Sequence, residues 1–551
     1  REAPFRTISR AAEVMEAGDT CLVRAGTYAE TVRPARSGRA DAPIVFRNWP
    51  AERPRIVGTE PVTGWTRETN NVWGADLGWD LGNFNQVFID GKPGFEARWP
   101  SKKNDDPLDW EASRISRGSR NGLIRCEWLP ARPADYWKGG VLWVLAGGKW
   151  TSWSTIITGS EANGKTLSFS MPTWPGGSLE SNMSPGRGGI FYVAGLRGDL
   201  NMPGEWLVDA GEGRLLICVD KDADPNKLSI RAKRRLNAFD LNERQHVHVI
   251  GFDVHGATLT LDETAHCLVK DVRATWISHI RGGDTGYGPR ADLGIVVTGH
   301  HNTIRDSEIA YSAGNGLLLR GHRHAVINCH IHHIDYIGCY DAPIVMWGWE
   351  MLISHNTIHD AGRDCVRPGG QAHVIQYNNI YHMGRIAEDL GATYVASSDG
   401  GGSEFHHNWC HDHKSRGNGL YFDNFSSDYL VYRNVVWNVP HSQLNFSKPC
   451  MRQIAVNNTV LGKMRHWGRW RTDWMYASAY VNNAVREAIM PHPQARIVNN
   501  VVKVSAKALN ERNFREYRGG KPGMMVPGLT GAEPGIGAYD QSDPDWRAGD
   551  D

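Results

Sequence analysis

The sequence predicts an all-β protein built on a parallel β-helix, a solenoid with an antiparallel β module inserted near its N-terminus. Three observations predict it. From His246 onward the segments VIGFDV, LVKDVRA, IRDSEI, VINCHI, ISHNTI, IQYNNI, FHHNWC, VYRNVV, AVNNTV, YVNNAV and IVNNVV recur, at a mean spacing of about 24 residues, the length of one solenoid coil. β-branched residues alternate with polar ones inside each segment, the period of a strand with one buried face. Most segments end in a polar residue, any residue and an apolar one, which sets Ser307, Cys329, Asn356, Asn378, Asn408, Asn434, Asn458, Asn483 and Asn500 in one column. Asparagine tolerates the left-handed backbone of a tight turn, and stacked amides hydrogen-bond along the axis, so this column is structural.

The elements follow in chain order. Ile8 to Ala17 is an amphipathic run stopped by Gly18; a short helix there caps the first coil, whose core and strand edges would otherwise be open. Strand-like segments at Thr20 to Val23 and Ile44 to Phe46 follow, so residues 1–63 form the cap and first coils. Over 64–236 the period is lost. Hairpin signals appear at Ile89-Asp90-Gly91-Lys92 and from Val208 to Gly213, among many tryptophans and prolines, which predicts the separate antiparallel module. Residues 237–510 form the main β-helix, and 511–551 a C-terminal tail.

Composition narrows the function. The 551 residues carry 61 basic and 60 acidic side chains, a formal charge of +1, so no long-range field points to nucleic acid or to an anionic membrane. The 22 tryptophans fill cores and also suit the apolar faces of sugar rings. Nine cysteines without a CxxC indicate neither a zinc site nor a disulfide framework, and their apolar settings predict buried thiols. No apolar run reaches the roughly 18 to 20 residues of a membrane span. A chain opening at Arg1 is expected to be the processed form of a secreted or periplasmic protein whose signal peptide has been removed. No particular oligomeric state is implied.

The chemistry concentrates between Gly384 and Asn424, where Glu388, Asp389, Asp399, Glu404 and Asp423 fall among several histidines on two successive coils. The strands that precede the repeat segments, GLLLRG, PIVMWG, DCVRPGG, TYVASSDG, GLYFDN and QLNFSK, align Arg320, Trp347, Arg367 or Pro368, Ser398 or Asp399, and Asp423. A purely structural strand would keep small or apolar residues there, so this face is expected to line an open groove for a polysaccharide. Glycosidic cleavage needs one carboxyl group to protonate the leaving oxygen and another to activate water or attack the anomeric carbon. Asp389, Asp423 and Asp399 are the catalytic candidates. Asp389 precedes its strand and Asp423 ends the next, an offset that predicts the roughly 6.5 to 9.5 Å spacing of an inverting pair rather than the roughly 5 Å of a retaining one.

Arg367 and Tyr394 are candidate hydrogen-bonders to substrate, Trp347 and Trp349 a stacking platform, and Asp364, Glu404 and His332 further lining residues. Plainer roles stand beside these. Asp399, Glu404 and Asp412 suit turn caps, Asp389 a turn before Gly391, Asp423 a salt bridge to Arg416 or Arg433, and the tryptophans core packing. His332, His333, His359, His382, His406, His407, His411 and His413 are numerous enough for zinc but lack HExxH or comparable spacing, so they are expected to be surface or core histidines and no metal site is assigned.

D-L-G-A-T-Y at Asp389 to Tyr394 and G-L-Y-F-D-N at Gly419 to Asn424, with the opening PFRTIS and GDTCLVRAGTYAETV and the segment FIDGKPGFEARWP, resemble the right-handed parallel β-helix glycoside hydrolases, most closely glycoside hydrolase family 141. The resemblance covers most of the chain. That family contains α-L-fucosidases and xylanases, and the resemblance implies a right-handed coil, a carbohydrate substrate and, by motif, Asp389 and Asp423 as the catalytic pair. Asn424 stands where the family pattern has a second aspartate, and Glu388 where it has glycine. Two other functions are carried alongside. One is a polysaccharide lyase acting on uronates, with Arg367, Arg385, Lys414 and Arg416 supplying cation or base and Asp389 and Asp423 as calcium ligands. The other is a non-catalytic glycan-binding solenoid. The hydrolase requires no cofactor, and a structural or substrate-bridging calcium is compatible with it.

Overall fold

The computed structural model describes residues 4–69, 71–109, 111–172, 182–282, 294–413, 416–447, 449–467, 477–490 and 494–502. The expected tail, 511–551, and Lys414 lie outside them. Among the described residues, three long parallel sheets of 14, 13 and 11 strands form the walls of a solenoid, each coil giving one strand to each wall in turn. One coil runs Leu352–Ser354, Thr357–Ala361, Val366–Gln371; its first two strands pair in register with the coil that follows, and its third pairs through Val366 and Thr393. Alternate side chains point inward, and Ile353, Ile375, Phe405 and Val431 stack in the first wall of one continuous core. That stacking explains the β-branched alternation.

The amide ladder is present and differs from expectation in one respect. Asn378 Oδ1 accepts from the backbone N–H (3.0 Å) and the side-chain amide (2.9 Å) of Asn356, while its own amide donates to Ile353 O (3.0 Å) and Asn408 Oδ1 (2.9 Å). The same pattern continues through Asn434, Asn458 and Asn483 to Asn500. The left-handed residue of each turn is the one before: His355 (φ 59°), Tyr377 (54°), His407 (55°), Arg433 (53°) and Asn457 (55°). Their varied chemistry shows that the repeat is fixed by satisfying buried amides rather than by backbone tolerance of the asparagine.

The capping helix spans Ile8–Val14, shorter than the amphipathic run; Thr7 Oγ1 accepts from Arg10 N at 3.2 Å, and Ile8, Ala11 and Ala12 are buried against the first coil. Between Thr59–Pro61 and Ile230–Lys233 the chain builds the inserted module, nearly all antiparallel. Asp90 (φ 49°) and Gly91 (79°) make the tight turn between Val87–Ile89 and Lys92–Pro93, and Glu205–Asp209 pairs with Arg214–Cys218 as the second hairpin. The module has its own core around Trp137, Trp153 and Phe191. It docks on the loops that lead from the second wall to the third: Trp143 Nε1 donates to Ile337 O (2.9 Å), Ser152 N to Gly338 O (2.7 Å), and Lys149 pairs with Glu388 (3.2 Å). All nine cysteines are free thiols and all but Cys21 are buried.

Candidate active site

The outer face of the third wall carries two columns of side chains. Val345 pairs with Arg367, and further along Tyr394 with Tyr421, Tyr421 with Asn445, and Asn445 with Arg465. Two residues on along the strands, Arg320 pairs with Trp347 and Trp347 with Gly369, while Asp423 follows Phe422 and Ser447 follows Phe446. The groove column expected from the sequence is therefore corrected. Gly369, not Arg367 or Pro368, lies beside Trp347, and Asp399 belongs to the first wall, where it pairs with Ser427. Connecting loops of unequal length between walls shift the register, and the repeat does not record them. The face is also not one continuous groove, because Leu318 and Val345 are covered, with Ala342 packed on them.

Asp389 sits in the loop before the Gly391–Val395 strand with a left-handed backbone (φ 56°), so it is a turn residue as well as a site residue. Its N–H donates to Arg416 O (3.2 Å), and its carbonyl accepts from Arg363 Nη2 (3.1 Å). Arg363 is 1% exposed and packs between the rings of Tyr340 (4.2 Å) and Tyr394 (4.6 Å). It ion-pairs with Asp364 and donates to Trp150 O (2.6 Å). One buried guanidinium thus ties the inserted module to the loop that aims Asp389. Asp364, fully buried, accepts from Gly391 N at 3.1 Å; burial pushes its carboxyl up to about 6 against the pull of Arg363.

Asp423 is 9% exposed and accepts from Tyr394 Oη at 3.0 Å and from Tyr421. Burial, and then the negative charge of Asp389, raise its carboxyl above the usual range, while the two phenols and the Asn424 N–H pull the other way. Tyr421 Oη also lies 3.4 Å from Asp389 Oδ1. A single hydroxyl therefore stands between an exposed carboxylate and a buried one, and their nearest oxygens are at most about 7 Å apart, two hydrogen-bond lengths. No arginine pairs with Asp423 among the described residues. Cys339 Sγ donates its one proton to Asp335 (2.8 Å) and lies 3.3 Å from Asp341; burial lifts Asp341 to about 6, with the Arg367 charge opposing.

The structure brings Asp389, Asp423, Tyr394 and Arg367 together and leaves other candidates elsewhere. Tyr394 spends its hydroxyl on Asp423, and Asp364 is sealed behind Arg363, so both act on the site from within rather than on a substrate. Asp399 is exposed and caps a turn by accepting from Gly401 N (3.0 Å). Glu404, on the first wall, accepts from Tyr432 Oη (2.7 Å). His332, on the second wall, stacks on His359 (5.2 Å), which opens a ladder through Tyr381, His411 and Trp437. The histidine-rich stretches are in large part these stacks. Among the described residues a three-ligand group occurs at His266, His300 and His301, on other coils. Trp347 and Trp349 are half exposed, Trp349 stacked on His322 (5.2 Å). Sequence reasoning missed Arg363, Tyr340, Asp341 and Tyr421; an Arg-Asp dipeptide between two predicted strands, and a tyrosine two residues before Asp423, were the visible signals.

Residues 291–461 match the family model described as a right handed beta helix region. An uncharacterized protein, YwoF, of Bacillus subtilis (strain 168) is 45% identical over 58 residues, 10% of this chain; the match spans 12% of that relative's length. A solved structure titled "Glycoside hydrolase" superposes with a TM-score of 0.63 at 14% identity, covering 89% of this chain and 90% of that one. The structure of XylC with xylose aligns over 92% of this chain and 84% of that one, at 14% identity and a TM-score of 0.48. The chain has the right-handed parallel β-helix fold.

Proposed function

We propose that the protein is a glycoside hydrolase acting on a poly- or oligosaccharide, with Asp423 as general acid and Asp389 as general base. The observation that carries this is the pair of carboxyl groups of opposite exposure meeting at the Tyr421 hydroxyl. An acid whose carboxyl is raised by burial is suited to donate to a leaving oxygen, and an exposed carboxyl group to take a proton from water. The two are offset along their strands rather than stacked, which supports water entering between them and inversion at the anomeric carbon. Trp347, half exposed, offers a ring platform.

The fold likeness to a structure titled as a glycoside hydrolase supports the class, and the family 141 resemblance favours a fucosidase or xylanase type, in a secreted or periplasmic setting. A calcium-dependent lyase has less support: calcium takes six to eight oxygens, and the acid pair offers two carboxylates with tyrosine hydroxyls already between them. Asp389→Asn and Asp423→Asn are each expected to lower turnover about a thousandfold on a panel of fucosylated, xylan, pectic and alginate-type glycans, with unchanged circular dichroism. Proton NMR of the first product should show the inverted anomer. Wild-type turnover in both variants, or ultraviolet-absorbing unsaturated products, would sink the proposal.

A further inference from the structure

Lys233 ends the Ile230–Lys233 strand of the inserted module and is 2% exposed. Its backbone is satisfied, the N–H by Gln86 O (2.8 Å) and the carbonyl by Trp79 Nε1 (2.8 Å). Its ammonium has no hydrogen-bond or ion-pair partner among the described residues, and burial alone pushes it down to about 8. Such a charge is unfavourable unless something pairs with it. Lys233 lines a cavity of about 290 Å³ between the module and the outer face of the third wall, together with Asn237, Asn242, Thr258, Thr260 and His279.

The threonines face outward because Leu259 and Leu261 point into the core. The cavity lies on the same wall as the acid pair. Thr260 pairs with Val296, Val296 with Leu318, Leu318 with Val345, and Val345 with Arg367, one coil before Tyr394. At the strand spacing of a sheet this is about 24 Å away. The covered Leu318 and Val345 lie between, so it is a separate opening.

The proton positions follow from the hydrogen bonds. Tyr336 Oη donates its one proton to Ser278 O (3.0 Å) and so accepts from His279 Nδ1–H (2.8 Å). This leaves His279 Nε2 a buried acceptor with no protein partner among the described residues. Burial, then the charge of Lys233, push His279 down to about 3, so it is neutral. The cavity therefore combines one cation with several hydroxyl and amide groups, and the Asp262 side chain also lines it. We infer that it is a binding site for an acidic sugar, whose carboxylate or sulfate pairs with Lys233 while ring hydroxyls meet the threonines and asparagines that line it. The hydroxyl-bearing half of this assignment rests on the glycan reading; the anionic half rests on Lys233 alone.

Calorimetric titration of the full chain tests this whether or not the protein turns over. Uronate oligosaccharides, sulfated ones and neutral ones of equal length are the probes. At least one charged set is expected to bind tenfold or more tighter than the neutral set, and the two charged arms tell carboxylate from sulfate. Lys233→Met should abolish that preference and raise the melting temperature, because a structural lysine would be missed and an unpaired buried one would not. Asn242→Asp keeps the acceptor for Thr260 Oγ1 and Asp262 N (both 2.8 Å) and should weaken the charged probes by repulsion. Binding should also fade as pH rises through about 8; of the groups around Lys233, His255 and His279 stay neutral there, and the Asp262 side chain lines the same cavity. Equal affinity for neutral probes, or a preference that survives Lys233→Met, overturns the inference.

Discussion

Tyr421→Phe removes the hydroxyl that stands between the two carboxyl groups and leaves the ring in place. Asp423 then keeps one phenol donor, Tyr394 at 3.0 Å, and loses the other. A hydrogen bond to an ionised group contributes about 1.5 to 3 kcal/mol, and one pH unit corresponds to about 1.4 kcal/mol. The Asp423 carboxyl should therefore titrate about one to two units higher. A general acid works only while protonated, so the alkaline limb of the kcat/KM profile is expected to move up by that amount, with little change in KM. Stability gives an independent readout. Because Asp423 is raised above its unfolded value of about 3.9, its stabilising contribution is complete below that pH and is lost as pH rises through the folded value. The wild-type melting temperature should fall across that window, the fall should extend to higher pH in Tyr421→Phe, and it should flatten in Asp423→Asn. A limb that stays put or moves down in a folded Tyr421→Phe enzyme would refute the acid assignment.

Arg363→Met leaves Asp364 buried without its partner and is expected to cost about 3 to 5 kcal/mol in urea unfolding; adding Asp364→Leu should restore stability but not turnover, since Asp389 still lacks its anchor. Asn434→Ala strips the acceptor from the N–H and amide of Asn408 and should lower stability by about 1 to 3 kcal/mol, seen as a shifted denaturation midpoint. Trp347→Ala, at a half-exposed position, should change stability by no more than about 0.5 kcal/mol while raising KM several-fold for polymeric but not for short substrates.

The repeat was legible because each coil must solve the same problem: two buried polar groups per turn, met by one asparagine. Asn378 and Asn408 could be placed without coordinates for that reason. Asp389 and Asp423 stood out as acids beside glycine-rich strands, yet Asp399, Glu404 and His332 looked equally suitable. They sit on other walls, and wall membership depends on loop lengths such as 382–390 that carry no period. Arg363 was invisible because its value lies in five contacts, four of them with residues distant in the chain, among them Trp150 in the inserted module.

By itself the sequence determined the coil, its core and the amide ladder, since these depend on spacing along one chain and repeat often enough to be counted. Only the tertiary structure decided which acids meet, which of them is dry and where Lys233 is left without a partner. Those properties arise from stacking between coils and from docking of the module on the third wall, distances that no local pattern encodes.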